Sequence, residues 1–244
     1  MTFDQQYPHG RRPVVRRVNP QQQPGMQYGA HSGGQYGIQP NMGSPYPQQR
    51  PQGMVSQRER DGGVGAAVGT AFLFVISIWS AFWINAIFFG GSLDNYGIRP
   101  RSVDGLLGIL FAPLLHADLA HLIGNTVPAA IFTGLIAFSS QRLWWQVTTI
   151  VALVSGLATW VIAPFYTIHI GASGLIYGWL AFLVVRGFLN RSPGQIAIGM
   201  LLGFSYSGYI WGVFPTDAAV SWQMHLFGGV GGVLAAMKLR RGRR

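Results

Sequence analysis

The chain has 244 residues, 49% of them hydrophobic and only 10% charged, with a positive mean hydropathy. That is too apolar for an ordinary soluble domain, and the formal charge of +10 does not point to nucleic acid, because the arginines flank the apolar runs as membrane-bordering charges do. The absence of cysteine excludes disulfides, thiolate metal sites and a Cys nucleophile.

Residues 1–62 are rich in Gln, Pro, Gly and Tyr and carry almost no aliphatic clusters, so this stretch is expected to be a disordered cytoplasmic tail. It lacks the apolar core of a signal peptide, and the first hydrophobic run is expected to act as an uncleaved anchor. Residues 63–244 read as one membrane domain. Six apolar segments follow in order, at 66–89, 119–138, 143–163, 173–185, 195–214 and 222–237. They suit a bilayer core of about 30 Å, which takes roughly 20 helical residues to cross. Arg142, Arg186, Arg191 and the C-terminal basic cluster fall on the same side as the tail, whereas the opposite loops hold only Arg99 and Arg101. The expectation is an all-α, multi-pass protein of the cell membrane with six spans and both termini cytoplasmic. The longest connection, 90–118, contains the apolar run 105–115, too short to cross but suited to lying partly in the membrane.

Polar residues within spans are few and therefore informative. His121 and Asn125 share one face of the second segment, and Ser173 and Tyr177 share one face of the fourth. His225 stands near the outer end of the sixth, above a stripe of Gly228, Gly232 and Ala236 that lets a neighbouring helix come close. Counting inward from Ser173 to Arg186, and from His225 to Lys238, gives about 20 Å of helix in each case, so the hydroxyl and the imidazole lie at one depth. For Ser173 to sit below the outer surface, 164–170 must descend into the protein.

These groups suit acyl transfer, with Ser173 as nucleophile and His225 as general base. His121, the Asn125 amide and the N–H groups that open the fourth segment can stabilise an oxyanion. No Asp or Glu lies within segments two to six, so a Ser–His dyad is the most the chain can build, with Tyr177 available to stack on or bond the imidazole. Other readings remain open for single residues. His121 and Asn125 can simply bridge helices. The histidines at 116, 121, 169 and 225 could ligate a metal, although His116 and His121 are five apart and no carboxylate or thiolate accompanies them.

The motifs His116-Ala-Asp-Leu-Ala-His121-Leu-Ile-Gly-Asn125, Gly171-Ala-Ser173-Gly174 with Tyr177, and His225-x-x-Gly228-x-x-x-Gly232 together resemble the rhomboid intramembrane serine proteases, of the bacterial six-span type. The resemblance runs from about residue 66 to the C-terminus. It implies a six-helix bundle with a water-filled cavity open to the outside, Ser173 and His225 as the dyad, an oxyanion hole from His121, Asn125 and the Ser173 amide, and Tyr177 packed on His225. It further implies cleavage of transmembrane segments of other membrane proteins, in contact with lipid, with no metal or cofactor and an unspecified oligomeric state. Two features depart from the family pattern: the first outer loop lacks the Trp-Arg pair of many members, and Phe111 and Ala112 stand where some carry a histidine. A catalytically silent protein that binds transmembrane helices, and a small transporter or metal-handling protein, are the competing functions.

Overall fold

The computed structural model describes residues 61–217 and 219–240; all but the last two residues of the expected disordered tail, and the terminal arginines, lie outside them. Within the described residues the chain is helical, with one isolated antiparallel bridge between Ile98 and His169. The principal helices are α1 (Val64–Phe88), α2 (Leu119–Ser139), α3 (Gln141–Ile162), α4 (Ser173–Asn190), α5 (Pro193–Ser205) and α6 (Trp222–Lys238). Helices α1 to α4 are each long and apolar enough to cross a membrane. Helix α6 has 17 residues, a length of roughly 26 Å at 1.5 Å per residue. The protein is a polytopic helical bundle.

The fifth apolar segment is not the single run expected for 195–214. Helix α5 stops at Ser205, and a 3₁₀ turn over Ser207–Val213 leaves it at 65°. Ser205, Ser207 and Gly208 are indifferent or poor helix formers, and the neighbouring tyrosines are drawn inward. The Tyr206 ring meets Phe132 edge-on at 5.0 Å, and the Tyr209 carbonyl accepts a hydrogen bond from the Tyr177 hydroxyl at 2.8 Å.

Local chemistry sets the helix starts. Asp118 caps α2, its carboxylate accepting from the His121 N–H at 2.8 Å, and Ser140 caps α3 by accepting from Leu143 N–H at 3.1 Å. Asp61 ties the start of α1 to that same corner: its carboxylate accepts from the Ser140 hydroxyl and the Arg142 N–H. The long loop between α1 and α2 breaks into short helical turns over Asp104–Leu106, Gly108–Phe111 and Ala112–Leu114, leaving Val103, Leu107 and Leu110 exposed while Ala112 is fully buried. Arg101 and Trp160 fasten this loop without a Trp-Arg dipeptide. The Arg101 guanidinium donates to the Val161 and Ala163 carbonyls at the end of α3, and the Trp160 indole N–H donates to Ser102 O at 2.8 Å.

The core lies among α2, α3, α4 and α6, around Phe132, Val147, Val151, Trp179, Phe182 and Ala235. The most extensive contact is α4 against α6, followed by α3 against α6, while α1 packs chiefly on α2. Glycines make the first of these contacts possible. A Cβ on Gly228 would collide with the Gly174 carbonyl oxygen, and one on Gly232 with the Gly178 carbonyl oxygen. The two backbones therefore touch over successive turns, the close approach that small residues permit in membrane helices. The Ser155 hydroxyl of α3 bonds the Met224 carbonyl of α6 at 2.9 Å from the other side.

Gly232→Val should lower stability by about 1–3 kcal/mol, the usual cost of forcing extra atoms into a packed contact. Gly229→Ala, where an added Cβ meets nothing within 4 Å, should leave stability unchanged or slightly raised. Thermal unfolding in detergent measures both, and equal effects at the two positions would contradict this packing.

Candidate active site

Ser173 is the first residue of α4 and is half-buried. In the connection leading to it, 164–170, the side chains of Phe165, Tyr166 and Ile168 are exposed, with the Arg101 guanidinium 3.7 Å from the Phe165 ring centre, and His169 is 8% exposed. Gly171 then has φ +115°, a backbone conformation that L side chains rarely adopt. Space imposes the same choice, since a Cβ there would lie 2.6 Å from Cε1 and Nε2 of His121. The Gly171 N–H bonds the Ala112 carbonyl at 2.8 Å, joining the α1–α2 loop to this turn.

His225, in the first turn of α6, is 8% exposed, and its Nε2 lies 2.8 Å from Ser173 Oγ. Its Nδ1 lies 2.9 Å from the Gly212 carbonyl oxygen. A carbonyl only accepts, so Nδ1 carries the proton of the neutral ring, and Nε2 is left to accept from the Ser173 hydroxyl. The Tyr177 ring stacks on the imidazole at 4.1 Å between centroids and 8° between planes, and its hydroxyl is held by the Tyr209 carbonyl. Tyr177 therefore contacts His225 by its face, and Gly212 fills the place a carboxylate takes in a triad.

Other candidates lie nearby with different engagements. Asn125 is buried, and its amide donates to the His121 carbonyl at 2.9 Å, within its own helix. His116 meets the His121 ring edge-on at 5.0 Å and is 2% exposed. Burial first, and the neighbouring His121 second, push the His116 imidazole down to about 4. Burial does the same to His169, also to about 4, so both loop histidines are neutral at physiological pH. Among the described residues no three His, Asp or Glu side chains are arranged to hold a metal ion. Gly174, Gly228 and Gly232 act through the α4–α6 contact. Between α4, α5 and α6 a largely apolar groove of about 800 Å³ reaches Tyr177 and His225.

Residues 104–242, more than half of the chain, match the Rhomboid domain. The chain belongs to the rhomboid family. That family is one of intramembrane serine proteases, and the match begins in the loop between α1 and α2, so α1 precedes it. Uncharacterized proteins of Mycobacterium tuberculosis (strain H37Rv) and Mycobacterium bovis are each 44% identical over 158 residues, covering 62% of this chain and 66% of the relative. An uncharacterized protein of Mycobacterium leprae is 46% identical over 156 residues, covering 61% of this chain and 62% of the relative. The matched part is thus less than two thirds of each mycobacterial protein's length.

Gly212, Ser155 and Asp118 were not among the residues the sequence singled out as site candidates, although Gly212 bonds His225, Ser155 bonds the Met224 carbonyl beside it, and Asp118 caps the turn that carries His121. Asp118 carried a legible signal, an N-cap carboxylate directly before an apolar segment. Gly212 carried none, because it acts through its main chain. In protein labelled with ¹⁵N-histidine, His225 should show a protonated Nδ1 and an unprotonated Nε2 at neutral pH. The reverse assignment would contradict the role given to the Gly212 carbonyl.

Proposed function

We propose that this rhomboid is an active intramembrane serine endopeptidase that cleaves transmembrane segments of other membrane proteins through a Ser173–His225 dyad. The observation that carries the reading is the 2.8 Å hydrogen bond from Ser173 Oγ to an imidazole whose other nitrogen is already engaged by Gly212. As Oγ attacks the scissile carbonyl carbon, its proton passes to His225 Nε2, and the carbonyl π electrons move onto oxygen. The Ser173 N–H, which opens α4 and so has no partner within the helix, serves as a donor to that oxygen, with His121 and Asn125 as further donors. The Asn125 amide gives one N–H to the His121 carbonyl and keeps a second N–H for the oxyanion. Collapse of the intermediate breaks the C–N bond, and Nε2–H protonates the departing amine. Water then attacks the acyl-enzyme with His225 again as base, releasing the acid and restoring Ser173.

Several features support an active member over a silent helix-binding one. Inactive relatives usually lose Ser or His; here both are present and bonded. Gly171 leaves room for the His121 ring, and Tyr177 stacks on His225, as an oriented imidazole base requires. The reaction as written uses no metal or cofactor. Arg142, Arg186 and Arg240 line one cavity, of about 600 Å³, at the end of the bundle where α2 meets α3. That clustering supports a cytoplasmic location for this end and for both termini in the cell membrane, with lipid around the bundle.

The test is cleavage of a model transmembrane substrate by purified protein in liposomes. The native chain should cut with or without chelator, and Ser173→Ala should abolish cutting. Activity should fall as the pH drops through the His225 titration, because imidazolium cannot accept the serine proton. Substrate helices bound but left uncut by the native chain would overturn the reading in favour of a silent binder, and a flat acid limb would remove His225 as base.

A further inference from the structure

His169 and Ser221 form a second link between the two chain segments that carry the candidate pair. Each stands four residues before its functional neighbour: His169 before Ser173, and Ser221 before His225. Their side chains meet, with His169 Nδ1 2.7 Å from Ser221 Oγ. The other imidazole nitrogen, Nε2, lies 2.9 Å from Thr167 Oγ1, whose own hydroxyl proton is given to the Pro164 carbonyl at 2.7 Å. The Thr167 oxygen therefore accepts from Nε2–H, and Nδ1 is left to accept from the Ser221 hydroxyl. The main chain of His169 is fixed as well, exchanging both of its hydrogen bonds with Ile98 in the α1–α2 loop.

Ser221 supplies an independent observation. It occupies the N-cap position of α6, where a serine hydroxyl ordinarily accepts a bond from the first turn, yet it makes no side-chain cap. Its backbone carbonyl accepts the ordinary first helical bond, from the His225 N–H at 3.2 Å, while its hydroxyl is turned across to His169. The chain gives up a helix cap at the entrance to α6 and spends that hydroxyl on a link to the segment that delivers Ser173.

We infer that His169, through Ser221, is a positioning residue that sets the separation and alignment of Ser173 and His225. The inference rests on the proteolytic reading proposed above. The glycine contact between α4 and α6 brings the helices to the correct distance. Ser173 and His225 stand just before its first glycine pair, Gly174 and Gly228, at the entry ends of the two helices. The His169–Ser221 link lies on the entry side of both residues and closes a ring: His169 to Ser173 along the chain, Ser173 to His225 by hydrogen bond, His225 back to Ser221, and Ser221 to His169. Such a ring restrains the reacting atoms without touching substrate.

The variants are His169→Phe, which keeps a ring but no nitrogen, His169→Asn, whose Oδ1 can stand in for Nδ1, Ser221→Ala, and the double variant His169→Phe/Ser221→Ala. Turnover of a transmembrane substrate and the ¹⁵N resonance of His225 Nε2 are measured on the full chain. His169→Phe and Ser221→Ala should each lower kcat on the order of 100-fold with KM unchanged, the scale of a small misplacement of reacting groups. The double variant should be no worse than either, and His169→Asn should recover most of the turnover. The His225 Nε2 resonance should move toward that of a nitrogen without a hydrogen bond in His169→Phe and Ser221→Ala, and stay put in His169→Asn. Losses that multiply in the double variant, or a change confined to KM, would overturn the link. If the native chain does not cleave, the proteolytic reading fails while the resonance still decides the link. An Nε2 signal unmoved by Ser221→Ala, the mildest of the changes, overturns it whatever the activity.

Discussion

The contact on which the rest of this protein depends is the backbone-to-backbone packing of α4 on α6. Lipid tails are as apolar as leucine, so membrane helices gain little from burying apolar surface against each other and associate through close fit and polar bonds. Gly174 facing Gly228, and Gly178 facing Gly232, permit that fit, and each glycine lies against a carbonyl of the opposite helix or a side chain of α3. The register of this contact decides the chemistry. Ser173 is the residue before Gly174, and His225 is three residues before Gly228, so the pairing of those two glycines brings the hydroxyl and the imidazole together where both helices begin. Helix α3 supports the contact from behind, through Ser155 on the Met224 carbonyl and Val151 against Gly178.

A buried imidazole with no carboxylate partner must be oriented in some other way. Here the work is divided between the Gly212 carbonyl, which fixes the ring's tautomer, and Tyr177, which fixes its plane. Both depend on the bend after α5. The Ser207–Val213 turn carries the Gly212 carbonyl to Nδ1 and the Tyr209 carbonyl to the Tyr177 hydroxyl. A straight continuation of α5 would commit those carbonyls to its own helix ladder. The broken span is therefore part of the site, and a dipole in place of a buried charge avoids the desolvation a carboxylate would suffer at this depth.

Much of this could be read from residue spacing. The six apolar segments, the shared faces of His121 with Asn125 and Ser173 with Tyr177, and the equal depth of Ser173 and His225 follow from helical geometry and membrane thickness. The contributions made through the main chain could not. The Gly212 carbonyl has no residue type that announces it, and the bend at Tyr206 depends on Phe132, 74 positions away, receiving its ring. His169 had the right composition for a metal ligand, but its nitrogens are spoken for by Thr167 and Ser221, which only the folded loop brings to it.

The central claim is that helix packing delivers a serine made nucleophilic by His225, and the most direct measurement is covalent labelling of the folded protein by a fluorophosphonate, with the modified residue located by mass spectrometry. The account predicts a label on Ser173 in the native chain and none in His225→Ala under the same conditions. A native protein that stays folded but unlabelled, or a His225→Ala variant labelled at Ser173 as fast as the native chain, would contradict it.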